Sequence, residues 1–251
     1  MRTTRIHVTL ELGCDRELLL PAAPSLHLLR VLRLRPGAAL TLFNGSGGEY
    51  AAELLAAERG CARVRVQGHA AVERESPLHL TLLQGIARGE RMDLIVQKAT
   101  ELGVTAIVPL ACEHSVVRVE ASALERRRER WQAVAIGACE QCGRNRVPVI
   151  HPISELATAC AAIAATGPGE SEPLRLMLVP ESADALASLA AGVRSAAVLV
   201  GPEGGLSGRE QLLAQRAGFR ACRLGPRILR TETAPLAALA ALQALAGDLA
   251  N

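Results

Sequence analysis

The sequence predicts an α/β protein in which a β-rich N-terminal region precedes a parallel sheet with helices. Three observations predict this class. Apolar runs at residues 197–200 and 221–224 each stop at a glycine-proline pair, as buried parallel strands do. Residues 78–110 read as a strand, a helix closed by Gly103 and a second strand, which is a βαβ unit. Residues 1–75 instead combine short strands with glycine-rich turns, which indicates a small barrel.

The composition bounds the class of protein further. The chain has 251 residues, is 49% hydrophobic and carries a net charge of only +3, so charge alone does not indicate a nucleic-acid partner. Its seven cysteines are an odd number without disulfide-like spacing. We find no run of 18 apolar residues and no apolar signal segment after Met1. We therefore expect a cytoplasmic protein with no membrane segment.

In the N-terminal region, alternating or apolar strands are predicted at residues 5–10, 39–43 and 62–66. A hairpin turn is predicted at the glycines of residues 45–48. A helix is predicted at residues 25–34, with Ser25 as its N-cap.

One face of that helix is polar. His27, Arg30 and Arg33 are three residues apart and fall on the same helical face, and Arg5 extends the patch. Such a face is either solvated or holds RNA, and the spacing does not decide between the two.

The charged segment at residues 71–77 ends in proline and predicts a domain boundary, with one domain at 1–75 and a second at 76–251. In the second domain the expected elements are helices at residues 89–102, 122–142, 155–165 and 208–218, a last helix from Thr233, and strands at 78–84, 104–110, 174–179, 197–200 and 221–224.

The long helix at residues 122–142 ends in the sequence C-E-Q-C-G-R-N-R. Its run of alternating charges is typical of a solvated face, with RNA contact as the alternative. Glu140, Arg144 and Asn145 place more polar side chains at this helix end than capping requires. Cys139 and Cys142 have no second cysteine or histidine pair, so buried thiols are favoured over a zinc site.

Two glycine-proline loops, at Gly201-Pro202 and Gly225-Pro226, are expected to leave neighbouring strands at the same end of the sheet. Ligands of open α/β sheets bind at such a place. The glycines that follow let backbone groups approach a polar ligand closely, and a nucleoside fits. A P-loop motif is not present.

The segment Arg230-Thr231-Glu232-Thr233 precedes the last helix. Thr233 is the expected N-cap, with Pro235 in the first turn. Capping leaves Arg230 and Glu232 unexplained, and a cation beside a carboxylate in a glycine-opened loop suits proton or group transfer.

Four segments of the chain carry a family resemblance: Q-G-I-A-R-G-E-R-M-D-L-I-V-Q-K-A-T-E-L-G-V, A-C-E-Q-C-G-R-N-R-V-P, V-G-P-E-G-G-L-S and L-G-P-R-I-L-R-T-E-T-A. In these segments the chain resembles the SPOUT superfamily of S-adenosylmethionine-dependent methyltransferases. More narrowly, it is similar to the family that methylates N3 of one uridine in small-subunit (16S) ribosomal RNA. The resemblance spans nearly the whole chain.

The resemblance implies a PUA-like RNA-binding β-barrel at 1–75 and a SPOUT methyltransferase domain with a C-terminal trefoil knot at 76–251. It implies a homodimer, S-adenosyl-L-methionine as cofactor, no metal, and the 30S particle or its precursor as RNA partner. The cofactor-binding residues that it implies are Leu178, Pro180, Gly201, Pro202, Glu203, Gly204, Gly205, Leu224, Gly225, Ile228, Leu229, Thr231 and Thr233.

For catalysis we predict that Arg230 stabilises the anion formed when uridine N3 loses its proton. Glu232 or Glu140 is the candidate base. The predicted RNA-binding residues are Arg5, His27, Arg30, Arg33, Arg144 and Asn145. Two other classes remain open at this point: a nucleotide-dependent oxidoreductase, although the dinucleotide fingerprint is missing, and a non-catalytic RNA-binding protein.

Overall fold

The computed structural model describes residues 3–115, 121–164, 172–190 and 192–249. The chain forms two compact units. The first is Met1–Glu75 with Cys139–Val147, and the second is Ser76–Ala138 with Pro148–Asn251. The division into domains at residue 75 stays a prediction, and the structure places residues 139–147 with the first unit. In the described part of the chain, no helix combines the length and apolarity needed to cross a membrane.

The first unit contains a five-stranded sheet. Its strands are β1 (Thr4–His7), β2 (Glu17–Leu19), β3 (Ala39–Phe43), β4 (Glu49–Glu58) and β5 (Cys61–Ala70), in the order β1-β3-β4-β5-β2. Only the β1–β3 pairing is parallel. Because β3 and β4 pair in antiparallel fashion around residues 45–48, the predicted glycine hairpin is confirmed; three of its glycines have positive φ angles.

The predicted helix at residues 25–34 is wrong in its bounds and in its cap. The structure has helix α1 (Ala22–Leu26), followed by a π-helical turn at His27–Val31. Ser25 lies inside α1 and is fully buried; its hydroxyl donates to the carbonyl of Leu20 and accepts from the backbone N–H of Ala62, both at 2.9 Å. A serine that links a helix to the sheet gives the same sequence signal as a serine that caps a helix.

The second unit is built on a parallel sheet. Its strands are β6 (His79–Gly85), β7 (Ala106–Ala111), β8 (Val149–Ile150), β9 (Ser154–Glu155), β10 (Leu174–Leu178), β11 (Ser195–Val200) and β12 (Arg220–Cys222). The order is β12-β10-β11-β6-β7-β8, with β9 also paired to β7, and every pairing is parallel. The predicted parallel sheet is therefore confirmed.

Within the described residues the helices that follow are α2 (Arg91–Glu101), α3 (Ala121–Cys142), α4 (Leu156–Ala164), α5 (Leu186–Leu189), α6 (Gly208–Arg216) and α7 (Thr233–Ala246), and the last residues of α3 belong to the first unit. The predicted apolar face of α2 is buried at Met92, Ile95, Val96 and Ala99. Gly103 follows with φ +80°, the left-handed conformation that ends a helix. The predicted last residue of α4, Ala165, lies outside the described residues.

One expectation about the sheet is wrong. The strands that end at the two glycine-proline loops are not neighbours, because β10 lies between β11 and β12 and pairs with both. Strand order depends on crossovers that local sequence patterns do not encode. The consequence is that the loop after β10 lies between the other two, at the same edge of the sheet.

Candidate functional site

A cavity of about 790 Å³ lies in the second unit, where the loops after β10, β11 and β12 meet. Parallel strands bring their carboxyl ends to one edge of a sheet, so these three loops converge although they are far apart in sequence. The volume is typical of a small-molecule site.

The cavity is lined by eleven of the thirteen cofactor-binding residues that the family resemblance implies: Leu178, Pro180, Gly201, Pro202, Glu203, Gly204, Gly205, Leu224, Ile228, Leu229 and Thr231. Gly225 and Thr233 are not among the lining residues. That these side chains and backbone groups hold a cofactor stays a prediction.

The loop after β11 is tightly folded. The N–H of Gly205 donates to the carbonyl of Pro202 at 2.9 Å, and Gly205 has φ +71°, where other residues are strained. A Cβ at Gly201 would lie 2.8 Å from the backbone carbon of Gly205. A Cβ at Gly85, at the end of β6, would lie 2.5 Å from the backbone nitrogen of Pro202. Glycine is required at Gly85 and Gly201 because backbone packs directly on backbone.

Thr231 joins two of these loops. Its hydroxyl donates to the carbonyl of Gly201 at 2.9 Å and accepts from the side-chain amide of Gln84 at 3.3 Å. Gln84 is fully buried, and its amide also donates to the carbonyl of Gly85 at 2.9 Å. A single hydroxyl therefore fixes the segment before α7 against the loop after β11.

The expected N-cap at Thr233 is wrong. Helix α7 starts at Thr233 itself, its N-cap position is Glu232, and no side chain caps it. Pro235 does fall in the first turn and is buried. The carboxylate of Glu232 accepts no bond from the first turn, so the helix end has no side-chain acceptor.

Arg230 and Glu232 both line the cavity. Arg230 is exposed, and no side-chain hydrogen bond or ion pair is found for it among the described residues. Glu232 is mostly buried; its Oε1 lies 3.8 Å from Nε of Arg91, and its Oε2 is buried with no hydrogen-bond partner in the described part of the chain. A buried carboxylate oxygen without a protein donor is satisfied by a water molecule or by a ligand that supplies a proton or a positive charge.

Arg91 begins α2 and lies between two carboxylates. Its Nη1 donates to Oε1 of Glu203 at 2.8 Å, while its Nε faces Glu232. The same Glu203 oxygen accepts from the backbone N–H of Arg88 at 2.8 Å. Partial burial acts to raise the pKa of Glu203, but the hydrogen bonds from Arg88, from its own backbone and from Arg91 outweigh it and hold that pKa below its usual range. Glu203 is therefore ionised at neutral pH.

Sequence reasoning missed Arg91, Gln211, Arg223 and Arg227, which also line the cavity. Arg91 could have been found. It follows the carboxyl end of β6, which pairs with β11, so the loop between β6 and α2 must reach the same edge of the sheet. Arg223 and Arg227 lie in the loop that the sequence did single out, but their spacing carries no signal of its own.

Three of the predicted RNA-binding residues form an internal network in the first unit. The guanidinium of Arg5 bonds the carboxylate of Glu49 at 2.5 Å, the amide oxygen of Asn145 at 2.6 Å and the carbonyl of Arg144 at 3.1 Å. The Arg144 guanidinium pairs with Glu75 at 2.5 Å, and Asn145 is fully buried. The side chains of Arg5 and Arg144 are only 8% and 5% exposed. These contacts favour a structural role, and RNA contact by these three residues stays a prediction.

His27, Arg30 and Arg33, in contrast, are exposed in the same unit. They do not share one α-helical face, because His27 and Arg30 belong to the π-helical turn and Arg33 follows it with φ +51°. Arg30 and Arg33 form no ion pair within the described residues. Their cationic heads are accessible to an anion.

Glu140, the second candidate base, belongs to the first unit. Its Oε1 accepts a hydrogen bond from the backbone N–H of His7 at 2.9 Å. Burial raises the pKa of Glu140, and this effect outweighs the His7 hydrogen bond and the charges of His27 and Arg5. Next to it, burial raises the pKa of the Cys139 thiol to about 12, so this cysteine is inert at neutral pH. Among the described residues, no group of three or more potential metal ligands is found.

Comparison with known proteins identifies the class. Residues 74–243 match the model of an RNA methyltransferase domain, and residues 25–67 match that of an RNA methyltransferase PUA domain. The chain thus carries an RNA methyltransferase domain, preceded by a PUA domain.

Comparison with individual relatives identifies the family within this class. The chain is 40% identical to a Neisseria gonorrhoeae ribosomal RNA small subunit methyltransferase E solved with S-adenosyl methionine, over 98% of this chain and 99% of that one, with a TM-score of 0.88. A Legionella pneumophila methyltransferase solved with the cofactor SAM is 37% identical over 99% and 100% of the two chains, with a TM-score of 0.92. The Bacillus subtilis ribosomal RNA small subunit methyltransferase E is 32% identical over 86% of this chain and 85% of its own length. The chain belongs to the ribosomal RNA small subunit methyltransferase E family.

Proposed function

We propose that this protein transfers a methyl group from S-adenosylmethionine to N3 of a uridine in small-subunit ribosomal RNA, acting in the cytoplasm on the 30S particle or its precursor. The observation that carries the proposal is the cavity itself, in which glycine-opened loops meet an unpaired arginine and a buried carboxylate oxygen without a donor. Family membership supports the same reaction.

The residues present fit the cofactor. The lining offers backbone groups and aliphatic side chains on three loops, as an adenosine and an amino-acid tail require. The unpartnered Oε2 of Glu232 suits a ligand that is cationic or donates a proton. When bound, S-adenosylmethionine supplies an electrophilic methyl group, whose bond to sulfur breaks with the electron pair leaving on the sulfur.

The chain's own residues act on the uridine. N3 is a nucleophile only after its proton leaves, and Glu232, whose carboxylate belongs to the cavity lining, is the first candidate for the base. The charge then spreads onto the O2 and O4 carbonyls, where the free guanidinium of Arg230 stabilises it. The uracil base must leave its stack to expose N3. This unstacking costs less free energy in single-stranded or splayed RNA than in a duplex. Glu140 is the second candidate for the base.

The remaining finer features belong to the same proposal. A trefoil knot in the second unit, which the family resemblance implies, is one of them. A homodimer is another, and it would bury the exposed Leu245 of α7 and Leu249 just beyond the helix. Arg30 and Arg33 supply accessible cations for the RNA backbone.

Primer extension tests the reaction, because methylation of N3 blocks Watson–Crick pairing and stops the polymerase. Ribosomal RNA incubated with the protein and S-adenosylmethionine should show one new stop at a uridine. Arg230→Ala should lower kcat by about 10²–10³-fold and leave cofactor affinity, measured by calorimetry, nearly unchanged. Arg209→Ala, an exposed arginine of α6 outside the cavity lining, is the matched control.

Three outcomes would contradict parts of the proposal. Unchanged turnover of Arg230→Ala removes Arg230 from the mechanism. Cofactor binding without any new stop leaves a methyltransferase with another target, or a non-catalytic RNA-binding protein. Stabilisation by NAD rather than by S-adenosylmethionine in a thermal-shift experiment favours the oxidoreductase.

A further inference from the structure

The loop after β10 forms one wall of the cavity, and its course is fixed by the segment that follows β12. Leu178, Val179, Pro180 and Glu181 line the cavity on this side. The N–H of Val179 donates to the carbonyl of Cys222, the last residue of β12, at 2.9 Å. Beyond Val179 the chain leaves the sheet, so the shape of this wall depends on the contacts that the next residues make.

Arg223, the first residue after β12, holds these next residues with its backbone. Its N–H donates to the carbonyl of Asp184 at 2.9 Å, and its carbonyl accepts from the N–H of Leu186 at 3.2 Å. Between them, Ala185 forms a parallel bridge with Arg223. Any residue other than proline could make these backbone bonds, so they do not explain an arginine at this position.

The side chain of Arg223 extends this hold toward the cavity. Its Nη1 donates to the carbonyl of Ser182 at 2.7 Å and to the carbonyl of Ala183. Hydrogen bonds from a charged donor are stronger than those between neutral groups. The hydroxyl of Ser182 adds a second link, because it donates to the carbonyl of Ala221 in β12 at 3.0 Å. Arg223 itself belongs to the cavity lining.

We propose that Arg223 is a positioning residue for the cofactor, which fixes the loop after β10 so that Leu178 and Pro180 keep the cavity in its binding shape. This inference rests on the proposed function and adds a residue to it. Arg223 acts through the loop, whose wall of Leu178, Val179 and Pro180 is apolar and suits the uncharged part of S-adenosylmethionine. A loop that is fixed before binding loses less conformational entropy when the ligand binds.

Calorimetry with the full-length protein tests the inference. Arg223→Met keeps an unbranched apolar stem and removes both side-chain bonds, so the Kd for S-adenosylmethionine should rise about 5- to 30-fold, as the loss of hydrogen bonds from a charged donor gives. Arg223→Lys retains a charged donor and should give a smaller rise. Arg209→Ala, which removes an exposed positive charge outside the cavity lining, should leave the Kd unchanged.

Kinetics separate positioning from general damage. In methyl incorporation into ribosomal RNA, Arg223→Met should raise the KM for S-adenosylmethionine as it raises the Kd, while kcat at saturating cofactor changes by less than about twofold. If Arg223→Met does not fold, Ser182→Ala takes its place. It removes the hydroxyl that links the same loop to Ala221, so it should also raise the Kd, by a smaller factor.

A ligand without a carboxylate shows whether Arg223 acts through the loop or contacts the cofactor itself. 5′-Methylthioadenosine keeps the nucleoside and the sulfur and lacks the amino-acid tail. If Arg223 positions the loop, the Kd for this ligand should rise in Arg223→Met by a factor similar to that for S-adenosylmethionine. If only S-adenosylmethionine binds more weakly, Arg223 binds the carboxylate directly and the positioning role is wrong.

The remaining outcomes separate this inference from the proposed function. If the wild type binds S-adenosylmethionine but methylates no uridine, the proposed function fails, and the Kd of Arg223→Met still decides the role of Arg223. If the wild type binds no S-adenosylmethionine, both fail. If the wild type binds and methylates, and Arg223→Met lowers kcat without raising the Kd or leaves both unchanged, only this inference is wrong.

Discussion

The hydroxyl of Thr231 offers a direct test of how the cavity is held together. Thr231→Val keeps the shape of the side chain and removes its donor to Gly201 and its acceptor for Gln84. The amide of Gln84 still has the carbonyl of Gly85, so the main group left unpaired is the Gly201 carbonyl. Since an unpaired buried polar group costs about 1–3 kcal/mol, we expect Thr231→Val to lower the free energy of unfolding by about 1–2 kcal/mol.

The loss should also appear in ligand affinity, because the bond fixes the loop after β11. Denaturant unfolding measures the stability, and calorimetry with S-adenosylmethionine measures the affinity. Thr231→Ser is the matched control: it keeps the hydroxyl and loses one methyl group, at about 0.8 kcal/mol. If valine is tolerated better than serine, packing of the methyl group, and not the hydrogen bond, holds these loops together.

Three further predictions follow from other contacts. Gly85→Ala would place a Cβ 2.5 Å from a backbone nitrogen of the loop after β11, so it should lower the free energy of unfolding by about 1–3 kcal/mol in a denaturant experiment. Gly137→Ala in α3 is the control: its Cβ would meet nothing within 4 Å, so it should be neutral or stabilising. Burial raises the pKa of Glu140, so the contribution of Glu140 to stability is largest at low pH and falls as the pH rises through the raised pKa. Glu140→Gln should therefore stabilise the protein more at pH 8 than at pH 4. An equal effect at both pH values would show that Glu140 is not desolvated. Arg30→Ala combined with Arg33→Ala should weaken RNA binding and reduce the slope of log affinity against log salt concentration by the amount that about two phosphate contacts give. An unaltered slope in filter binding would show that Arg30 and Arg33 face solvent and not RNA.

Much of the second unit could be predicted because its signals are local. Strand β11 is almost wholly apolar and is followed directly by Gly201-Pro202, and Gly103 ends α2 in a left-handed conformation. What local signals miss is the order of the strands. β10 lies between β11 and β12, a result of how crossovers pass over the sheet.

The first unit shows a different limit. Strand β4, Glu49–Glu58, is rich in alanine, leucine and glutamate, which favour helices, and only pairing on both sides makes it a strand. The polar residues Arg5, Arg144 and Asn145 look available in sequence and prove to be buried against one another. The sequence alone does not indicate whether a charged side chain contacts solvent, RNA or the protein itself.

The segment 139–147 has a consequence for anyone who wishes to study the PUA-containing unit alone. A fragment ending at residue 75 would keep Arg5, Val72 and Glu75 but discard Arg144 and Asn145, with which they bond. The fragment would keep the Arg5–Glu49 ion pair, but Arg5 would lose its two acceptors on Arg144 and Asn145. Glu75 would lose its partner Arg144, and breaking a largely buried ion pair costs several kcal/mol. The first unit is therefore incomplete in a fragment that ends at residue 75. It is assembled only after the ribosome has synthesised the end of α3, and a transplantable version would need residues 139–147 supplied in the same polypeptide.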